Sequence, residues 1–480
     1  MNELSEDQIK KGGFRVTVSC HDPEIVVGED GTYYMFGSHM IGAKSNNLRE
    51  WDYFAQGVDQ SNPLFDNLFE EKMEAFSFVG KNAENGYSVW APNVYYNERM
   101  NKYIMYYCTT SSYIKSSICM ATADQIEGPY THQAILLDSG YSKKDIETTN
   151  VYDILGKDAD TSRYFEYGGY NNKQWPNCID PAIVKGEDDR IWMVYGSWSG
   201  GIFLLEIDPE TGYPINPQQK EEKGVDAYYG VRLVGGGHHS IEGPYIEYSA
   251  ETGYYYLFLS YGELKQQGGY QIRVFRSKEP TGPYVDAEGN TLEDQEDHSN
   301  YGVKLMGNYT FPSLNYTYMA PGGQSTFRDK DGRYYITYHQ RFAENGEYFE
   351  PRVHQMVLNE DDWFVILPFA TVGEKVSETG YKTENLKGSF YLVNHGTDIG
   401  STVHTAECVQ FNGKGTFTKD EEKAEYEVQP NSNYVTIKMG NVVYKGVIVE
   451  MEDEAGNATL CISAVGENNE SLWFVQYVKQ

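Results

Sequence analysis

The sequence predicts an all-β protein, a five-bladed β-propeller followed by a smaller β-barrel or sandwich domain. Three observations carry that expectation. Short alternating runs bounded by Gly, Asn, Asp and Pro dominate the chain, and long amphipathic helical patterns are scarce. A pair of strand-like runs joined by a tight turn recurs five times, and each copy is followed by further strand-like material. About four strands per unit, five times over, is how a five-bladed propeller reads in sequence.

The first copy is His21-Asp22-Pro23-Glu24-Ile25-Val26-Val27, an acidic turn ending at Asp30-Gly31, then Tyr33-Tyr34-Met35-Phe36. Asp-Gly between two apolar runs is a strong local hairpin signal. The second copy opens at Trp90-Ala91-Pro92 and returns through Tyr103-Ile104-Met105. The third opens at Asp180-Pro181-Ala182 and returns through Ile191-Trp192-Met193. The fourth opens at Glu242-Gly243-Pro244-Tyr245 and returns through Tyr254-Tyr255-Tyr256. The fifth opens at Gly323-Gln324-Ser325 and returns through Tyr334-Tyr335-Ile336 to His339. Residues 140–174, the longest irregular region, are expected to cover one rim of a cleft, since long loops tend to be functional. The repeat ends near Trp363 to Pro368, and the polar residues 373–387 read as a linker. The expected domains are residues 1–375, the propeller, and 376–480, the barrel, the latter of normal domain size.

Composition narrows the function. Net charge is −31, from 70 acidic against 39 basic residues. That argues against nucleic acid and disfavours polyanions or an anionic membrane surface, leaving a neutral partner as the best fit. Tyr numbers 42, against 21 Phe and 7 Trp. Such enrichment suits strands, and it suits sugar clefts, because each ring offers an apolar face and a hydroxyl. The six cysteines show no metal spacing and read as buried free thiols.

In a propeller the innermost strands all run the same way, so their starts meet around one channel mouth. Those starts are Asp22, Trp90, Asp180, Glu242 and, less regularly, Gln324. Three carboxylates brought to one axis repel one another, so burial and mutual charge should separate their pKa values. Such a separation is what acid–base chemistry on a neutral substrate needs. Glu127-Gly128-Pro129-Tyr130 repeats the tetrapeptide at Glu242, but it follows an outer strand and reads as a surface turn. Of the pair His238-His239, adjacent strand residues would point to opposite faces, so at most one can join the site.

The segments around Asp22, Asn177-Cys178-Ile179-Asp180-Pro181, Gly196-Ser197-Trp198-Ser199-Gly200, Ile241-Glu242-Gly243-Pro244 and Tyr338-His339-Gln340-Arg341-Phe342 resemble the motifs of glycoside hydrolase family 43. Within it they are most similar to the endo-α-1,5-L-arabinanases. The resemblance covers residues 14–369; the tail resembles, more weakly, the β-barrel carried by longer members. It implies Asp22 as general base, Glu242 as general acid and Asp180 as the group that tunes and orients the acid. It implies inversion, with base and acid roughly 6.5–9.5 Å apart. It implies Trp90 as a platform for a sugar ring, Ser197 and Asn177 as hydrogen-bonding groups, and His339 as the ligand of a central calcium with a largely aqueous shell. Gly323-Gln324-Ser325 departs from the Gly-His-Asn-Ser of many arabinanases. The implied partner is arabinan, a neutral polysaccharide. The resemblance also implies export with a signal removed, because Met1 to Ser5 lacks a signal pattern; the cytoplasm is the alternative. Exo-acting arabinanase, arabinofuranosidase or β-xylosidase activity, and a non-catalytic sugar-binding propeller, remain alternatives.

Overall fold

The computed structural model describes residues 3–217, 224–292, 298–419 and 421–479. Among the described residues are five sheets each built around four antiparallel strands, a two-stranded hairpin and one closed barrel. Blade one comprises Glu24–Val27, Tyr33–Gly37, Ile41–Ser45 and Asp52–Ala55, and blade two Ser88–Asn97, Lys102–Ser112, Lys115–Ala123 and Thr131–Ser139. Blade three is built on Ala182–Lys185, Ile191–Tyr195, Ile202–Ile207 and Gly230–Val234. Blade four is Ile241–Ser249, Tyr254–Tyr261, Gln271–Ser277 and Val303–Met306. Blade five is built on Tyr318–Arg328, Tyr334–Phe342, Phe349–Leu358 and Phe364–Ile366. The fold class is the one the repeat predicts.

Apolar packing between blades holds the ring together. Ile25, Met35 and Ala43 of blade one pack with Phe327, Tyr335 and Val353 of blade five, which closes the circle without any strand exchange. Blades one to three share a second core, and blades three and four a third. Among the described residues the one α-helix is Val151–Leu155. It lies in the 140–174 region, which also carries short 3-10 turns and the Phe165–Glu166/Gly169–Tyr170 hairpin. That region packs its Tyr141, Tyr164 and Tyr170 against Tyr229 of the neighbouring loop.

The C-terminal strands, from Lys387–Asn394 to Ser471–Val478, close into an eight-stranded barrel. Phe390, Phe411, Phe417, Tyr426 and Phe474 fill its interior. The barrel is joined to the propeller by a common core: Trp473, Val475 and Tyr477 pack with Phe311, Phe364 and Leu367. Trp473 Nε1 also donates to the Ile366 carbonyl at 2.7 Å. The N-terminal arm joins this assembly, since Leu4 N donates to Tyr477 O and Gly12 N to Ser313 O. All six cysteines are free, as the sequence suggests, but Cys408 on the barrel is exposed rather than buried.

Candidate active site

The five inner strands share one backbone irregularity near the axis. Asp22, Ala91, Asp180, Gly243 and Gly323 all have φ between +42° and +57°. L-residues avoid this region, and Asp and Gly tolerate it best. Proline follows in four of the five copies, at Pro23, Pro92, Pro181 and Pro244. These turns line a narrow axial cavity of about 40 Å³ that all five blades enter. The repeat phase therefore differs by one residue from the sequence alignment. Asp22 and Asp180 are equivalent, Glu242 and Trp90 stand one residue earlier, and Gln324 stands one later.

A ring of second-strand residues secures these turns. Ser38, Cys108, Gly196, Ser260 and His339 occupy one equivalent position, each opposite the residue that precedes a left-handed one. Ser38 Oγ accepts the Ala91 N–H at 3.0 Å, and Ser260 Oγ accepts the Gly323 N–H at 2.9 Å. The Cys108 thiol is hydrogen-bonded to the Asp180 backbone. His339 Nδ1 faces the Asp22 N–H at 3.5 Å. Gly196 has no side chain to offer, and the Gly243 N–H donates instead to Asp180 Oδ2 at 3.2 Å. Asp180 thereby touches the residue next to Glu242. Gly323 completes the circle: a Cβ there would lie 2.5 Å from Asp22 Oδ1 and 2.8 Å from the His339 ring.

The three predicted carboxylates thus meet, and burial raises the pKa of each. Asp180 is pushed well above its ordinary value by burial, then by the charges of Glu242 and Asp22, with only the Gly243 N–H opposing. Glu242 is raised by burial and by Asp22, against donors from Ser197, Tyr270 and Trp198. Asp22 is raised by burial but opposed by the Ser38 hydroxyl, which donates to its Oδ2, and by His39 and Arg341. Asp22 and Glu242 each have several groups favouring the ionised form, whereas Asp180 has one.

Above the axis opens a cleft of about 720 Å³. Glu242, Trp90, Asn177 and Ser197 line it, as the sequence predicts, and Ser197 Oγ donates to Glu242 Oε2 at 2.8 Å. The rest of the wall comes from residues 82–84, the 110–114 hairpin and Glu263 to Lys265. Residues 140–174, expected at the rim, do not line it. Tyr141, Tyr164 and Tyr170 are spent on packing while Tyr167 is exposed, and the region joins the segment before His238, where Gly237 N donates to Lys173 O. His238 reaches the cleft and bonds Tyr113 through Nδ1 at 2.9 Å, while His239 packs on His298. One histidine of the pair joins the site, but the two sit in a turn rather than a strand, and His238 has φ of +68°.

Sequence reasoning missed Ser38, Tyr113 and Tyr270. Ser38 was findable, because it shares its repeat position with His339. Tyr113 and Tyr270 lie on or beside loops outside the repeat, and nothing local distinguishes them among 42 tyrosines. His339 is fully buried, and burial holds its imidazole well below its ordinary pKa, hence neutral. Its Nε2 has no protein partner among the described residues. His21, Asp22 and His339 each offer one ligand atom, all within 4.8 Å of one another.

Comparison with known proteins agrees with this architecture. Residues 141–364 match the model of glycosyl hydrolases family 43, and residues 368–474 match that of a C-terminal lipocalin-like domain. The chain is 38% identical over 474 residues to the extracellular endo-α-(1→5)-L-arabinanase of Thermotoga petrophila, covering 95% of this chain and 93% of that protein. It is 37% identical to extracellular endo-α-(1→5)-L-arabinanase 2 of Bacillus subtilis, covering 95% and 92%. The crystal structure of the T. petrophila endo-1,5-α-L-arabinanase superposes with a TM-score of 0.82 at 36% identity, over 98% of this chain and 99% of that one. A family 43 YxiA protein from Bacillus licheniformis gives 0.83 at 36%, over 98% and 100%. Similarity of this extent, over 95% of the chain and through both domains, shows that the chain belongs to glycoside hydrolase family 43.

Proposed function

We propose that this protein is an inverting endo-α-1,5-L-arabinanase, exported from the cell like the relatives named extracellular. One observation supports the reading above others. Three part-buried carboxylates stand close together, Glu242 on a cleft large enough for several sugar rings and Asp22 and Asp180 on the axial cavity, in a chain similar over nearly its whole length to enzymes of that name. Asp22, whose ionised form is favoured by the Ser38 hydroxyl and the nearby Arg341 charge, takes a proton from water as the water oxygen bonds the anomeric carbon. The glycosidic carbon–oxygen bond breaks on the opposite side, and Glu242 gives its proton to the leaving oxygen. Asp180, whose Oδ2 accepts the Gly243 N–H, orients the acid and tunes its pKa, as the family resemblance implies. Trp90 offers a ring face to arabinose, and Asn177 and Ser197 offer polar groups.

A cation is part of the proposal, with calcium as its identity. The buried, unpartnered His339 Nε2 fits a group with its own hydration shell. Calcium prefers oxygen donors, so one imidazole ligand leaves most of its shell to water. A bound cation would supply positive charge that favours ionised carboxylates. Chelation is expected to lower activity, calcium to restore it, and His339→Ala to abolish the response. Unchanged turnover after exhaustive chelation defeats this part.

Linear arabinan is the test substrate. The expected products are mixed oligosaccharides from the first minutes, with inverted anomeric configuration by NMR. Single arabinose units released from the outset would favour an exo-acting enzyme instead. Heat of binding without new reducing ends would favour a sugar-binding propeller.

A further inference from the structure

Tyr270 immediately precedes the third strand of blade four, Gln271–Ser277. Its hydroxyl donates to Glu242 Oε1 at 2.9 Å, while Ser197 Oγ holds Oε2 at 2.8 Å. Each oxygen of this carboxyl thus has a fixed donor, and rotating the carboxyl breaks both bonds. The phenol ring is itself confined. It is 2% exposed and stacks on His339, with centroids 5.6 Å apart and planes 19° apart. Gly322 passes so close that a Cβ there would lie 2.2 Å from Tyr270 Cε1. Met319, Ala320 and Val403 pack around it.

Val403 does not belong to the propeller. It lies between the first two barrel strands, Lys387–Asn394 and Glu407–Asn412. That segment is tied down beside Tyr270. Gln271 Nε2 donates to Asp398 O at 2.9 Å, Lys304 Nζ donates to Asp398 Oδ1 at 3.0 Å, and Arg273 donates to Thr397 O. Gly269 approaches so closely that a Cβ there would lie 2.5 Å from Gly400 N.

Resting on the reading of Glu242 as the acid, we infer that Tyr270 is a positioning residue for it, held in register from behind by Val403 of the barrel. The phenol O–H is the donor in this bond, since the Glu242 carboxylate oxygen can only accept. A donor stabilises the carboxylate left after proton transfer. The other groups facing Glu242 are the carboxylate of Asp22, which raises its proton affinity, Ser197 and Trp198, which lower it, and Asp180, whose own pKa Glu242 raises. Tyr113 and His238 stand on the cleft wall. Removing the Tyr270 hydroxyl leaves the ionised acid less stable, so Glu242 holds its proton to higher pH.

The test is Tyr270→Phe, which keeps the ring and its packing, assayed on linear arabinan beside Glu242→Gln. The expected result is a fall in kcat of about tenfold or more, with KM within about twofold. The alkaline limb of kcat/KM should move to higher pH. Val403→Ala should lower kcat less and leave KM unchanged, and Val403→Ile should restore it. Wild-type kcat and an unmoved alkaline limb in Tyr270→Phe, beside an inactive Glu242→Gln, would overturn the positioning role and leave the acid standing. A raised KM with unchanged kcat would also overturn it, as the mark of a substrate contact. An active Glu242→Gln would instead remove the acid assignment itself.

Discussion

Asp180 has one backbone N–H to set against burial and two neighbouring carboxylates. Its folded-state pKa lies well above the unfolded value of ~3.9. The folded chain then holds a proton that the unfolded chain releases, so stability from this group is full below about pH 4 and falls as pH rises toward the folded pKa. Asp180→Asn is therefore expected to raise the melting temperature at pH 7 by about 1–3 °C and to leave it unchanged near pH 3. Activity in the same variant should drop by ~10²-fold or more. A lower melting temperature at pH 7 would count against a strained carboxylate. Asp22 and Glu242 follow the same logic, but their hydroxyl and cationic neighbours soften it. Turnover abolished in Asp22→Ala and Glu242→Ala, with melting retained, is the matching expectation; near-normal turnover in either would defeat the mechanism.

At the scale of elements, the inner strands do two jobs. Beyond the axial turn they carry the ladder; at it they present Asp22 and Asp180, and one residue before it Glu242. The left-handed residue separates these parts, and a neighbouring blade's second strand holds it in place. Glu242 stands one position before that residue and is one methylene longer than the aspartates, so it enters the cleft while Asp180 stays in the axis. The barrel belongs in this account. Among its described residues no large hydrophobic side chain is exposed. Its interior is packed, and Trp473 inserts into a core shared with blade five. Trp473→Ala should cost about 3–5 kcal/mol, read as a lower urea midpoint, and truncation after Val372 should give insoluble protein. A soluble, fully active truncation would show that blade five needs no cover.

For the whole molecule, a charge of −31 and a neutral substrate make encounter insensitive to salt. Between about 50 and 300 mM NaCl, kcat/KM on arabinan is expected to change less than about twofold. A steep decline would reveal a charged partner in the rate-limiting encounter. Much of the whole was legible beforehand. The repeat announced five blades, and equivalent phase singled out Asp22, Asp180 and Glu242 over the identical tetrapeptide at Glu127, which the structure leaves in an outer turn paired with Lys44. The one-residue offset of Trp90, Glu242 and Gln324 was not legible, because it depends on which residue turns left-handed. The role of residues 140–174 was misread because length alone does not say which face a loop covers.

Periodicity and turn chemistry are local properties, and alternation of period two with recurring Asp, Pro and Gly is enough to specify strands, their number and their common direction. From that, the chain by itself determined the propeller, the barrel and the three acids that converge. Which groups set those acids' charges was decided only in three dimensions. Ser38, Cys108 and Tyr270 come from three separate blades, Val403 packs behind Tyr270 from the second domain, and burial, the dominant influence on every carboxylate there, is a property of the closed ring rather than of any segment.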